Sequence, residues 1–419
     1  MDDDIKVCCK CGKQINYFKR YAIDRHGNYY CYDDMNMASG NTLSDVCACE
    51  EYDGTPYYQR ETGIKSPIEI KEEMDRYVIG QEQAKIILST AVYNHYKRLS
   101  INDGGGAVDK SNIMMLGPTG SGKTYMVKTL AKLLDIPLAI VSANSLTEAG
   151  YKGDDVQSIL SKLLYAAGND EFKAERGIIF IDEIDKIAKK ESTVRDIGGE
   201  GVQQALLKII EGNVVEINIS EKDNVVHNGK ALNGTTRIDT SNILFICGGA
   251  FPGIEDIIAG RLNKRTSSVG FGSEVSSRKD NKANIMFDVT PEDLKQFGMI
   301  PEFIGRCPVI APLEEITEEY LKRILTEPKN SVVGQYKKLM GLSGIKLTFT
   351  EDSLEAVAHK AVEKGTGARS LRGIMEEVLG DVMYYGPTAA KKGVREIIID
   401  ADFVNGGGSA KVEGSIDMR

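Results

Sequence analysis

A glycine-rich loop in the first third of the chain has the residue types needed to bind phosphate groups. Residues 117–124 read GPTGSGKT and fit the pattern G-x-x-x-x-G-K-[ST] at every position. Backbone N–H groups of such a loop bind phosphate oxygens, the lysine contacts the β- and γ-phosphates, and the last hydroxyl holds Mg²⁺. A glycine turn that binds nothing is the alternative, and the flanking elements argue against it. We therefore predict a nucleotide site formed by Gly117, Pro118, Thr119, Gly120, Ser121, Gly122, Lys123 and Thr124.

Two carboxylates further along the chain are suited to hydrolysis of the bound nucleotide. Residues 178–181 are four consecutive apolar residues, and Asp182 and Glu183 follow them directly. Ligands bind at the carboxyl ends of parallel strands, where such side chains lie. Asp182 would help to hold Mg²⁺, and Glu183 would orient and polarise the attacking water.

The elements around these residues predict an α/β fold with a parallel sheet. Residues 113–116 form a short apolar run before the loop, as expected for a strand covered on both faces. After the loop, apolar residues recur at helical spacing up to Leu134. Residues 138–142 and 243–247 read as further buried strands. The loop therefore lies between a buried strand and an amphipathic helix.

Length, charge and hydropathy limit the classes of protein to consider. The chain has 419 residues, so we expect two or three domains. The formal net charge of −9 disfavours a general nucleic-acid binder. No apolar run approaches the roughly 20 residues of a membrane span, and the first residues lack the apolar core of a signal peptide. We expect a cytoplasmic protein with no membrane or nucleic-acid partner.

Cysteines cluster near the beginning of the chain, where six of the eight lie in the first 49 residues. In a reducing compartment such a cluster indicates a metal site rather than disulfides. A C-x-x-C pair and a C-x-x-D pair predict zinc bound by Cys8, Cys11, Cys31 and Asp34. Cys47, Cys49 or His26 could replace Asp34 as the fourth ligand, and free thiols are the alternative to any zinc site.

Composition changes along the chain predict five segments. We expect a zinc-binding domain at 1–50, a linker at 51–66, a large ATPase domain at 67–312, a small α/β lid at 313–404 and a flexible tail at 405–419. In the lid, one helix is predicted from Ser370 to Tyr385.

Several residues have two readings on local pattern alone. Val78 and Ile79 could flank an adenine ring or pack in a core. Tyr151, in a Gly-Tyr-Lys-Gly turn, could grip a polypeptide or belong to an ordinary turn. The triplet at 269–271, Val-Gly-Phe, could dock on a partner or anchor its own loop.

Many stretches, in one order and spacing, resemble the ClpX family of AAA+ ATPases over about residues 64–402. They read YVIGQEQAK, AVYNHYKRL, GPTGSGKT, LTEAGY, IDEIDKI, GEGVQQALLK, ILFICGGAF, IPEFIGR and GAR-x-LR. The first 50 residues resemble the zinc domain of that family only in spacing. The resemblance implies a homohexamer that uses ATP to unfold tagged or unfolded proteins and to pass them into a ClpP-type peptidase, with adaptor proteins as further partners.

The resemblance also implies roles for single residues in the ATP site. Lys123 and Thr124 would bind ATP and Mg²⁺, and Val78 and Ile79 would flank the adenine. Arg306 would be an arginine finger that reaches the γ-phosphate held by the neighbouring subunit. Arg369 would be the sensor that couples the lid angle to the nucleotide.

Three further roles implied by the resemblance concern loops that face other molecules. Tyr151 would grip the substrate in the pore, with residues 195–202 as a second pore loop. Val269, Gly270 and Phe271 would plug into clefts of the peptidase. Lys152 stands where the family has an aliphatic residue, so six copies would make the pore more positive and favour acidic substrates.

Two other functions are compatible with a phosphate-loop ATPase of this kind. One is protein remodelling without a peptidase, which the Val-Gly-Phe triplet disfavours. The other is a nucleic-acid motor or clamp loader, which the acidic balance disfavours. The sequence has neither a G-x-S-x-G elbow nor an H-E-x-x-H motif, so we predict no protease activity of its own.

Overall fold

The computed structural model describes most of the chain from residue 65 onwards. The described residues are 65–101, 108–146, 156–189, 199–219, 234–266 and 285–408, with short segments at 21–23, 29–31, 226–227, 230–231 and 410–413. The short strands β1 (Tyr21–Ile23) and β2 (Tyr29–Cys31) pair in antiparallel fashion.

The larger part of the described chain alternates strands with helices. In chain order its elements are α1 (Pro67–Asp75), α2 (Glu82–Ile101), β3 (Ile113–Leu116), α3 (Lys123–Leu133), β4 (Leu138–Ser142), α4 (Val156–Ala166), α5 (Glu171–Ala174), β5 (Ile178–Asp182), α6 (Gly199–Ile210), β6 (Val214–Ile219), β7 (Val226–His227), β8 (Lys230–Ala231), β9 (Gly234–Asp239), β10 (Leu244–Gly249), α7 (Ile254–Thr266), α8 (Pro291–Phe297), α9 (Pro301–Arg306) and β11 (Val309–Pro312).

Five of these strands form one sheet in the order β11-β3-β10-β5-β4, and every pair is parallel. The predicted parallel sheet is therefore confirmed. Because all five strands are parallel, the phosphate loop, Glu183 and the segment after β4 all lie at the carboxyl ends of the strands. The candidate site lies at this end of the sheet.

Both faces of the sheet are buried, which explains why its strands read as unbroken apolar runs. Met114 and Leu116 of β3 pack into a core with α4 and α6, while Ile113 and Met115 pack into a second core with α1, α2 and α3. The alternation of side chains along a strand produces this division.

A separate lid follows the sheet domain and has its own core. Its elements are α10 (Glu318–Thr326), α11 (Val332–Leu342), β12 (Lys346–Phe349), α12 (Glu351–Glu363), α13 (Arg369–Lys391), β13 (Glu396–Ile399), α14 (Ala401–Val404) and β14 (Lys411–Glu413). β13 pairs in parallel with β12 and in antiparallel fashion with β14. The predicted helix that ended at Tyr385 continues to Lys391, with Pro387 inside it.

Residues 410–413, which we predicted to belong to a flexible tail, include a strand of the lid sheet. Ala410 is buried, and residues 411–413 pair with Ile398, Ile397 and Glu396. The glycines at 406–408 make a turn that returns the chain to the sheet. The glycine-rich composition is typical of a disordered tail, but β13 offers a free side with which residues 411–413 can pair.

We predict that β14 stabilises the lid. Deleting residues 410–419 leaves one side of β13 without hydrogen-bond partners, so the lid should melt about 5–10 °C lower and the amides of β13 should exchange faster. Deleting only residues 414–419 keeps β14 and is the matched control. Calorimetry measures the melting temperature, and amide exchange is measured at β13. Equal melting temperatures and equal exchange rates in the two deletion variants would contradict a structural role for β14.

Candidate nucleotide site

The phosphate loop has a backbone that only glycine can adopt at its centre. Gly120 and Gly122 have φ angles of 84° and 96°, in the left-handed region that favours glycine. A Cβ on Gly120 would lie 2.4 Å from the carbonyl oxygen of Thr366 and 3.1 Å from Cα of Gly367, both in the lid. The loop therefore contacts the lid backbone directly, and α3 begins immediately after it.

Lys123 is buried beneath this loop, at 8% relative exposure. Its ammonium donates to the carbonyl oxygens of Gly117 and Pro118. Burial lowers the pKa of Lys123 to about 8, and the positive charge of Arg369 adds to this effect, while Asp182 and Asp185 oppose it. The side chain can exchange these two uncharged carbonyl partners for negatively charged phosphate oxygens.

Thr124 and Asp182 come together as the sequence predicts. The Thr124 hydroxyl donates to Oδ2 of Asp182 at 2.7 Å, and the backbone N–H of Glu183 donates to Oδ1 at 3.0 Å. A hydroxyl and a carboxylate at hydrogen-bond distance are the oxygen ligands that Mg²⁺ prefers. These two residues therefore fit a Mg²⁺ ion between the phosphate loop and the carboxyl end of β5, where it would neutralise phosphate charge.

Glu183 is held by two residues that the sequence analysis missed. Its Oε2 accepts hydrogen bonds from the Ser142 hydroxyl and the Asn144 amide, each at 2.7 Å. Ser142 lies opposite Asp182 in the sheet, so the end of β4 places both donors beside Glu183. Glu183 also has a φ of 59°, a left-handed conformation that is unfavourable for non-glycine residues and persists where surrounding contacts hold it. The sequence did offer a signal for these two donors, because Ser142 and Asn144 are polar residues at the end of the strand next to β5.

The segment before α2 lies between the phosphate loop and the lid. Val78 is buried in the core, and Ile79 is half-buried. A Cβ on Gly80 would lie 3.1 Å from the Tyr320 ring of the lid. Core packing is thus observed for Val78, and the adenine contact remains a prediction for both residues.

The two predicted arginines lie in different domains, Arg369 in the lid and Arg306 in the sheet domain. Arg369 begins α13, two residues after the glycine that contacts the phosphate loop. Arg306 ends α9, is half-exposed, and pairs with Glu211 at 3.0 Å. Its carbonyl accepts from Asn112, just before β3, whereas the phosphate loop follows β3. A four-residue strand spans about 13 Å, so Arg306 faces away from the phosphate loop of its own chain.

Other predicted site residues lie outside the described part of the chain. These are Tyr151, Lys152, Val269, Gly270, Phe271, Cys8, Cys11 and Asp34; Cys31 ends β2, but its side chain is not described. Within the described residues, no group of three or more His, Cys, Asp or Glu side chains could hold a metal ion. No helix there combines the length and apolar character needed to cross a membrane.

A parallel sheet with a phosphate loop, an acidic strand end and a lid that touches the loop defines the AAA+ class of ATPases. A family model described as AAA domain (Cdc48 subfamily) matches residues 108–310, and one described as the C-terminal, D2-small domain of ClpB protein matches residues 316–395. The first match covers the sheet domain from just before β3 into β11, and the second covers the lid through α13.

The chain belongs to the ClpX family and is an ATPase. Relatives named ATP-dependent Clp protease ATP-binding subunit ClpX, from two strains of Porphyromonas gingivalis, are 47% identical over 394 residues, which is 93% of this chain and 93% of theirs. A relative of the same name from Treponema denticola is 47% identical over 413 residues, 96% of this chain and 95% of its own.

The low pKa of Lys123 predicts a pH dependence of nucleotide binding. Phosphate favours the ammonium form, so binding above pH 8 must take up a proton, and ATP affinity should fall by up to about tenfold per pH unit above pH 8. Titration with a fluorescent ATP analogue from pH 7 to 9.5 measures this. Lys132→Arg, an exposed lysine in the same helix, should keep the slope. A constant ATP affinity from pH 7 to 9.5 would contradict a lowered pKa of Lys123 in the nucleotide-free protein.

Proposed function

We propose that this chain is the subunit of a homohexameric motor that unfolds proteins and moves them through its pore into a ClpP-type peptidase. The proposal rests mainly on the nucleotide site. There the phosphate loop contacts both Asp182, at the end of β5, and the backbone of the lid. A lid in backbone contact with the phosphate loop can convert nucleotide exchange into a change of lid angle. The relatives' name, ATP-binding subunit of a Clp protease, supports the coupling to a peptidase.

Within this function the described residues divide the work of hydrolysis. Lys123 binds the β- and γ-phosphates, and Thr124 and Asp182 hold Mg²⁺. Glu183 must leave Ser142 and Asn144, or share them, to orient the attacking water. Arg369 contacts the nucleotide from the lid. Arg306 lies at the amino ends of the strands, away from the phosphate loop of its own chain. This position supports its action on the site of a neighbouring subunit.

Substrate and peptidase contacts are assigned to loops outside the described residues. We propose that Tyr151 grips the polypeptide, that Lys152 adds positive charge around it, and that Val269, Gly270 and Phe271 dock on the peptidase. Zinc bound by Cys8, Cys11, Cys31 and Asp34 would fold the first 50 residues, because a segment this small needs a metal to be stable. The proposed compartment is the cytoplasm.

A reporter-degradation assay with a ClpP tetradecamer and ATP tests this function. The chain should support degradation of an unfolded tagged protein, and Glu183→Gln should lower ATP turnover about 10²–10⁴-fold while ATP still binds. Glu292→Gln, which removes an exposed carboxylate of α8, is the matched control and should retain activity. Phe271→Ala should keep ATP turnover and lose degradation.

The outcomes of this assay separate the alternatives. Stimulation of ATP turnover by DNA rather than by unfolded protein would favour a nucleic-acid motor, and unfolding without degradation would favour a remodeller. Acidic and basic tags used side by side test Lys152, because Lys152→Val should remove any preference for the acidic tag. Unchanged tag preference would contradict the role given to this lysine.

A further inference from the structure

The side chain of Gln81 connects three parts of the nucleotide site. It is almost fully buried, at 5% relative exposure. Its Nε2 donates to the carbonyl oxygen of Glu314 at 2.9 Å, and its Oε1 accepts from the backbone N–H of Glu314 at 2.9 Å. The same Nε2 lies 3.4 Å from the carbonyl oxygen of Ser121 in the phosphate loop. Because the Glu314 N–H can only donate and its carbonyl can only accept, the orientation of the amide is fixed.

Glu314 is the first residue of the connection between the two domains. The preceding residue, Leu313, still belongs to the sheet domain: it is buried in that core, and its N–H donates to the carbonyl of Leu116 at 2.7 Å. The lid begins with Thr317, which caps α10. Residues 314–316 are therefore the hinge, and Gln81 pairs with both backbone groups of its first residue.

The backbone at Gln81 is arranged so that its side chain can reach the hinge. Gln81 has a φ of 60°, and its carbonyl accepts from the N–H of Lys85 in the first turn of α2. A left-handed backbone is unfavourable for glutamine and persists where surrounding contacts hold it. The preceding residue, Gly80, packs on Tyr320 of the lid. Residues 80 and 81 thus contact the hinge and the lid from the segment that precedes α2.

We propose that Gln81 is a positioning residue that couples nucleotide binding to the hinge. Its amide holds Glu314 with two short bonds and the phosphate loop with one long bond. When a nucleotide orders the phosphate loop, the Ser121 carbonyl is fixed relative to this amide, and the amide in turn restrains Glu314. One side chain therefore transmits the state of the phosphate loop to the backbone that sets the lid angle.

The proposal requires only the ATP site, so it can be tested without a protein substrate or a peptidase. Amide hydrogen exchange of the hinge is measured in the full-length chain, with and without the slowly hydrolysed analogue ATPγS. Gln81→Glu removes the donor but keeps an acceptor for the Glu314 N–H, and Gln81→Met keeps a similar length but removes all three bonds. Gln335→Glu is the matched control, because the Gln335 amide also donates to a backbone carbonyl, that of Asn330 at 2.7 Å, but away from the hinge.

We expect ATPγS to slow exchange at Glu314 in the parent and in Gln335→Glu. In Gln81→Met, exchange at Glu314 should be about tenfold faster, because no side-chain acceptor remains for its N–H. Gln81→Glu keeps that acceptor but loses the bonds donated to Glu314 and Ser121, and in both variants ATPγS should no longer slow exchange at Glu314. The rate constant for ATP turnover should fall more than the affinity for ATPγS, because the phosphate contacts remain. Unchanged melting temperatures and unchanged exchange in α2 would show that the chain still folds.

Two results would overturn the proposal. Hinge exchange that still responds to ATPγS in both Gln81 variants would show that the amide does not carry the coupling. A loss of ATPγS affinity with normal hinge exchange would show that Gln81 only packs the segment before α2. Neither result depends on whether the chain unfolds proteins, so failure here is distinguishable from failure of the proposed function.

Discussion

The register of the parallel sheet decides which side chains can meet at the nucleotide. β5 pairs with β4 so that Asp182 lies opposite Ser142, and β10 joins β5 to the strand that enters the phosphate loop. This alignment brings Thr124 within hydrogen-bond distance of Asp182 and places Ser142 beside Glu183. A shift of one residue between two strands would turn their side chains to the opposite face and separate these groups.

The second constraint is the close contact between the phosphate loop and the lid. Gly120 and Gly367 approach each other so closely that a side chain on Gly120 would overlap the lid backbone. Together with the Gln81–Glu314 bonds, this contact makes the lid part of the nucleotide site rather than a separate domain beside it. The lid angle therefore cannot change without altering contacts made by the phosphate loop or by Gln81.

Local pattern was enough to predict the elements whose partners are close in sequence. The phosphate loop, the buried strands and the acidic strand end each carry their signal within a few residues. Contacts between distant segments were not predictable in this way, because the amide of Gln81 meets a hinge residue 233 positions away and Glu183 is held from β4. After residue 405, the glycine-rich composition is typical of a tail, whereas residues 411–413 pair with β13. Pro387 likewise reads as a helix breaker but lies inside α13.

We propose that each ATP site is completed by Arg306 of a neighbouring subunit, because β3 separates this arginine from its own phosphate loop. Co-expression of Arg306→Ala subunits with Glu183→Gln subunits tests it most directly. Rings of either variant alone should be inactive, whereas mixed rings should recover ATP turnover at roughly one site in four, where an intact Glu183 faces an intact Arg306. Mixed rings with no more turnover than the two variants alone would contradict a site shared between subunits.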